Sequence, residues 1–112
     1  MAVYVSNLVI NAGVDFNQVF TLEDVNSNSI LDLTGYSVKS QMRKHAAATG
    51  VTTFNSSIYS ASGGQIRIGL TTESTSLLKP GRYVYDVVVT DTNNFMSRVV
   101  EGMVLVREGV TR

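Results

Sequence analysis

One stretch constrains the fold of this chain more than any other: Leu-Leu-Lys-Pro-Gly-Arg-Tyr-Val-Tyr-Asp-Val-Val-Val-Thr, from Leu77 to Thr90. Pro80 sets its own φ and Gly81 admits φ > 0, so the pair marks a turn. From Arg82 to Thr90 the residues are almost all β-branched or aromatic, which describes a long strand. One parity holds Tyr83, Tyr85, Val87 and Val89, the other Val84, Asp86 and Val88. Both sets are mainly apolar, so a central strand with most of both faces covered is expected. Asp86 would then be a carboxylate inside an apolar sheet, which requires a partner. Arg98, across the Asn93–Asn94 turn, and Arg82 are the candidates. Asp86→Ala is expected to destabilise the fold.

The rest of the chain reads as further short strands. Val5–Asn11 carries Leu8 and Ile10 on one face. Val14–Glu23 alternates, with Val14, Phe16, Phe20 and Leu22 inward. Asp24 to Ser29 is a turn cluster of Asx residues, and Ile30 to Leu33 is a short extended piece. Tyr36–Arg43 puts Tyr36, Val38, Ser40 and Met42 inward. Lys44 to Gly50 reads as a loop. Val51–Tyr59 is a weaker strand anchored by Val51, Phe54 and Ile58. After the Ala61–Gly64 hairpin, Gln65–Leu70 buries Ile66, Ile68 and Leu70. Thr72–Leu78 predicts one helical turn, ended by Pro80–Gly81. Phe95–Val106 closes the set, with Gly102 as a bulge or a point of close backbone approach.

Seven or eight short strands with a single helical turn before the longest predict an all-β sandwich of immunoglobulin-like type. Such sandwiches place a tyrosine at the corner leading into a long strand, its hydroxyl bonded back to the preceding backbone. Tyr83, just after Pro80 and Gly81, occupies that place. Tyr85 stands where antibody domains put their second cysteine. The chain has no Cys and no Trp, so an antibody-type core is excluded.

At 112 residues the chain is read as one domain, residues 1–112, with contact arms at 1–7 and 107–112. Its start Met and short length read as a complete small protein of cytosolic origin. Nine basic and nine acidic residues balance, which leaves no footprint for nucleic acid. No segment has the length of a membrane span or the pattern of a secretory signal. Charged residues make up only 16%, and Ser, Thr and Asn supply the polar faces. Such faces are less costly to desolvate than ionic ones, which suits docking.

No catalytic, cofactor or metal site emerges. His45 is the only histidine and follows Arg43 and Lys44 without an orienting acid. Asp24, Asn26 and Asn28 have calcium-loop spacing, but Ser29 and Gly35 stand where the glycine and glutamate belong. Gly63–Gly64 precedes no helix and is no phosphate cradle. Tyr4 and Tyr59 are the exposed tyrosines.

Four segments recur together in order: Asp15–Leu22, Leu31–Tyr36 (Leu-Asp-Leu-Thr-Gly-Tyr), Leu78–Val87 and Arg98–Gly102. The set resembles small immunoglobulin-like β-sandwich domains of tailed bacteriophages. These include the domains at the start of baseplate upper proteins and the short virion proteins of T4-like cyanophages. The resemblance implies a non-enzymatic virion structural protein of the tail, baseplate, neck or capsid decoration. It implies other virion proteins and further copies of itself as partners, with no nucleic acid, membrane, small-molecule substrate or cofactor. A sandwich module binding host-surface glycans through Tyr59 and the Asn93–Asn94 loop is the alternative.

Overall fold

The computed structural model describes residues 4–24, 29–45 and 47–110. The strands in chain order are β1 (Tyr4–Val5), β2 (Leu8–Asn11), β3 (Phe16–Thr21), β4 (Glu23–Asp24), β5 (Ser29–Ile30), β6 (Ser37–Arg43), β7 (Thr52–Thr53), β8 (Asn55–Ser60) and β9 (Gln65–Leu70). Helix α1 (Thr72–Ser76) follows, then β10 (Gly81–Thr90) and β11 (Met96–Arg107). The larger sheet runs β1-β11-β10-β6-β7, with β2 also on β11; the smaller runs β3-β9-β8, and β4-β5 is a separate ribbon. The two sheets pack face to face as an all-β sandwich. β1 and β2 both lie parallel to β11, whereas every other pairing is antiparallel.

The core forms where the inward parities meet. Leu8, Ile10, Met42, Tyr85, Val87, Val89, Val104 and Val106 from the larger sheet face Phe54, Ile66, Ile68 and Leu70. Each fully buried aliphatic side chain contributes roughly 1.5–3 kcal/mol. Phe16, Phe54 and Tyr85 pack in sequence, the first pair tilted and the second edge-on, with ring centroids 6.0 and 6.3 Å apart. Phe54 lies where the chain leaves the larger sheet for the smaller one, and its N–H donates to the Ser40 carbonyl at 2.9 Å. That crossing splits the single strand expected at Val51–Tyr59 into β7 and β8.

Several side chains depart from expectation. Val14 and Val51 are exposed rather than anchoring, because each lies outside its strand, where parity no longer fixes direction. The strand expected at Val5–Asn11 is two pieces, broken at Ser6–Asn7. Gly102 is a point of close approach: a Cβ there would collide with the Ser6 carbonyl oxygen. The β-bulge of β11 lies elsewhere. Val87 pairs with Val100 but Val88 with Arg98, so Val99 is the extra residue. Both Val99 and Val100 are fully buried.

Helix α1 is a single turn, as expected. Thr71 caps it, its hydroxyl accepting from the Ser74 N–H at 3.3 Å. Asp15 closes the same end from the β2–β3 loop, its Oδ1 accepting from the Thr72 N–H at 2.7 Å and the Thr72 hydroxyl at 2.8 Å. Those bonds hold the Asp15 carboxyl below its usual range. Buried Thr75 donates to the Val14 carbonyl at 2.8 Å, fastening the helix to the loop.

Candidate functional site

The corner at Pro80–Gly81 sets the direction of β10. Gly81 has φ +142°, which side-chain-bearing residues rarely adopt. The Tyr83 hydroxyl donates back to the Lys79 carbonyl at 2.8 Å, and the Lys44 ammonium lies 4.7 Å from the Tyr83 ring centroid. Tyr85, two residues on, is buried and donates to the Ser6 carbonyl at 2.6 Å. Burial pushes its phenol pKa up. Pro80, Gly81 and Tyr83 therefore work as scaffold. They aim the alternate residues of β10, Arg82, Val84, Asp86, Val88 and Thr90, at the outer face of the larger sheet.

That outer face is open, which corrects the expectation that β10 is covered on both sides. The register aligns it in rows. Val9, Leu105 and Arg82 form one, and Met103, Val84 and Arg43 the next. Below them lie Val5, Glu101, Asp86 and Gln41, then Arg98, Val88 and Lys39. Val5, Val9, Val84, Met103 and Leu105 are exposed apolar residues, and they adjoin one another on this face. A shallow groove of about 870 Å³ runs across the middle, bordered by Val84, Met103, Asp86, Arg98 and Glu101 among others.

The structure brings Asp86 and Arg98 together, with Arg98 Nε 3.2 Å from Asp86 Oδ2. It does not bury them: the side chains are 38% and 56% exposed. Asp86 thus sits among groups free to bond water, and the requirement for a buried partner falls away. Its cross-strand neighbour is Glu101, and like charges placed opposite each other repel. Arg98 bridges both, its Nη1 lying 3.9 Å from Glu101 Oε2. The bulge at Val99 makes this arrangement. Residues three apart in a regular strand face opposite sides, but the extra residue returns Arg98 and Glu101 to one face.

The remaining singled-out residues lie apart. His45 is exposed beside Arg43 and Lys44. Tyr59 is exposed on the outer side of the smaller sheet, while Asn93–Asn94 tip the β10–β11 hairpin of the larger. Of the proposed arms, Val5 and Val110 are exposed, and residues 1–3 and 111–112 lie outside the described residues. The calcium-loop spacing also falls largely outside them, at 25–28. Among the described residues no three His, Cys, Asp or Glu are grouped to hold a metal ion. No described helix is long and apolar enough to cross a membrane.

Sequence reasoning missed two features of the surface. One is the open face, signalled by the polar parities of three neighbouring strands: Lys39, Gln41 and Arg43; Arg82 and Asp86; Arg98, Glu101 and Arg107. The other is charge segregation. Residues 1–38 contain Asp15, Glu23, Asp24 and Asp32 with no Lys or Arg, which leaves nine basic residues against five acidic ones in the remainder.

No protein-family model and no curated protein sequence matches the chain. Among solved structures it is similar to the Listeria monocytogenes internalin-like protein lmo2027, at 14% identity and a TM-score of 0.46, over 96% of this chain and 28% of that one. It is also similar to a family 123 glycoside hydrolase from Clostridium perfringens, at 14% identity and a TM-score of 0.45, over 100% of this chain and 24% of that one. The chain thus spans about a quarter of the length of each.

Proposed function

We propose that this chain is a non-enzymatic structural subunit of a tailed-bacteriophage particle that works by protein–protein assembly. The observation that carries the assembly reading is the uncovered outer face of the larger sheet. Val9, Leu105, Met103 and Val84 adjoin there as exposed apolar residues, beside the Asp86–Arg98–Glu101 charges. Burying such a patch against a neighbouring subunit recovers apolar surface, and the charges around it select orientation. The phage setting rests on the resemblance carried by Leu31–Tyr36, Leu78–Val87 and Arg98–Gly102. Within a particle the chain takes a place in the tail, baseplate, neck or capsid decoration, with other virion proteins as neighbours.

The test is incorporation. A tagged chain is supplied during infection by the phage that encodes it, and purified particles are analysed by peptide mass spectrometry. The wild-type chain is expected to co-purify at fixed stoichiometry. Leu105→Glu, which places a charge in the exposed apolar row, is expected to fold and be left out. Absence of the wild-type chain from particles refutes the virion reading. Equal incorporation of Leu105→Glu refutes the role of this face.

A further inference from the structure

We infer that copies of this chain bind head to tail, the β10–β11 hairpin tip of one seated in a basic hollow at the opposite end of the next. The inference rests on the assembly reading above but not on its phage setting.

The hollow has a volume of about 660 Å³ and lies between the β6–β7 loop and the segment after α1. Arg43, Lys44, His45 and Lys79 line it together with Leu77 and Val51, and among the described residues no acidic one does. Leu77 is 85% exposed on its rim, an apolar side chain left uncovered just after α1. Arg43 is held in place by its bond to the Ala48 carbonyl at 2.7 Å, and Lys44 by the Tyr83 ring.

The hairpin tip is complementary. Between Val87 and Ser97 the chain has one acid, Asp91, and no base. Phe95 and Met96 are 67% and 64% exposed. The tip is also pre-shaped. Asp91 Oδ1 accepts from the Asn93 N–H at 2.8 Å and the Phe95 N–H at 2.9 Å, and Asn94 takes φ +63°. An aromatic anchor on a rigid turn loses little conformational freedom when it docks. Glu23 and Asp32, with exposed Ile30, lie toward the same end, since Gly35 abuts Thr92.

A tip seated in a hollow joins two copies. The hollow adjoins the start of β10 and the tip follows its end, ten residues on. That strand spans about 34 Å, so a tip cannot reach its own hollow. Two different surfaces then meet. Such a heterologous contact closes into a ring or continues as a filament.

The test uses light scattering on a sizing column with the full chain at micromolar concentration. At low salt the mass is expected to exceed 12.1 kDa and to grow with concentration. It is expected to fall toward the single chain at about 0.5 M salt, where the Debye length is only about 4 Å. Phe95→Lys disables the tip, and Leu77→Glu with Lys79→Glu disables the hollow. Each variant alone is expected to associate at least about tenfold more weakly. Mixed one to one they regain an intact tip against an intact hollow and are expected to pair again. All sites lie at exposed positions, and circular dichroism checks that each variant folds. Phe95→Asn with Leu77→Ser is the second pair if charge reversal unfolds either chain. A wild-type chain that stays monomeric at low salt overturns the inference, as does a failure of folded variants to pair on mixing. A chain absent from particles that still pairs this way refutes only the phage setting.

Discussion

Arg98 is predicted to matter more for stability than Asp86, the carboxylate that the pattern of β10 singled out. Asp86 faces Glu101 directly across the strands, and Arg98 contacts both at 3.2 and 3.9 Å. With side chains 38–56% exposed, each ion pair contributes only about 0.2–1 kcal/mol. Two carboxylates about 6 Å apart in near-aqueous surroundings repel by roughly 0.7 kcal/mol. Arg98→Ala loses both pairs while the two carboxylates stay opposed, a total of about 0.4–2 kcal/mol. Asp86→Asn loses one pair and relieves the repulsion, so its net effect lies within about 0.5 kcal/mol of zero. The double variant should be about 0.2–1 kcal/mol less stable than Asp86→Asn, because it also loses the pair between Arg98 and Glu101. Urea unfolding at low and high salt measures all three, with unchanged slope as the check that only stability moved. A cost above about 3 kcal/mol for Asp86→Asn would refute the reasoning, because only a buried, uncompensated partner produces a loss that large.

Three further predictions concern the scaffold. Tyr83→Phe removes the hydroxyl bond to Lys79 and should cost about 1 kcal/mol, read as a lower urea midpoint; no change would mean that the corner holds without it. Gly102→Ala drives a methyl into the Ser6 carbonyl, so β1 should detach from β11, with faster amide exchange at Tyr4 and Val5; unchanged protection there would show that the backbone relaxes around it. Tyr85 has its pKa raised by burial. It therefore leaves stability intact below about pH 10, the unfolded value, and stability falls as pH climbs from there through the folded value. Tyr85→Phe should be less stable at pH 7 yet lack that tyrosine-linked alkaline loss, which pH-dependent melts would reveal; an identical alkaline slope would refute it.

The acid range offers a smaller test of a turn read from sequence. In Leu31–Tyr36, Asp32 Oδ1 accepts from the Thr34 N–H at 3.0 Å and the Thr34 hydroxyl at 2.7 Å. These bonds hold the Asp32 carboxyl below its ordinary range. Their contribution is present above the unfolded value of about 3.8 and is lost as pH falls through the folded one. Asp32→Asn should flatten that acid limb in a melting series.

Local rules made much of the sandwich legible in the chain itself. Pro80 and Gly81 dictate a corner wherever they stand, and period-two alternation in Ser37–Arg43 and Gln65–Leu70 dictates which side chains turn inward. The Asx and Gly residues of Asp32–Gly35 and Asp91–Asn94 specify turns through bonds that span only two to four residues. Each of these depends on near neighbours and so can be read without the partner strands. The tertiary structure alone decided the rest. It left the second face of β10 open, because coverage depends on which layers pack and not on how apolar one strand is. It set the bulge at Val99 rather than Gly102, since a bulge is a property of two strands in register. It joined Asp86, Arg98 and Glu101 into one charged group and exposed Val14 and Val51. Pairing across the sheet fixes those outcomes, and alternation within one segment carries no information about it.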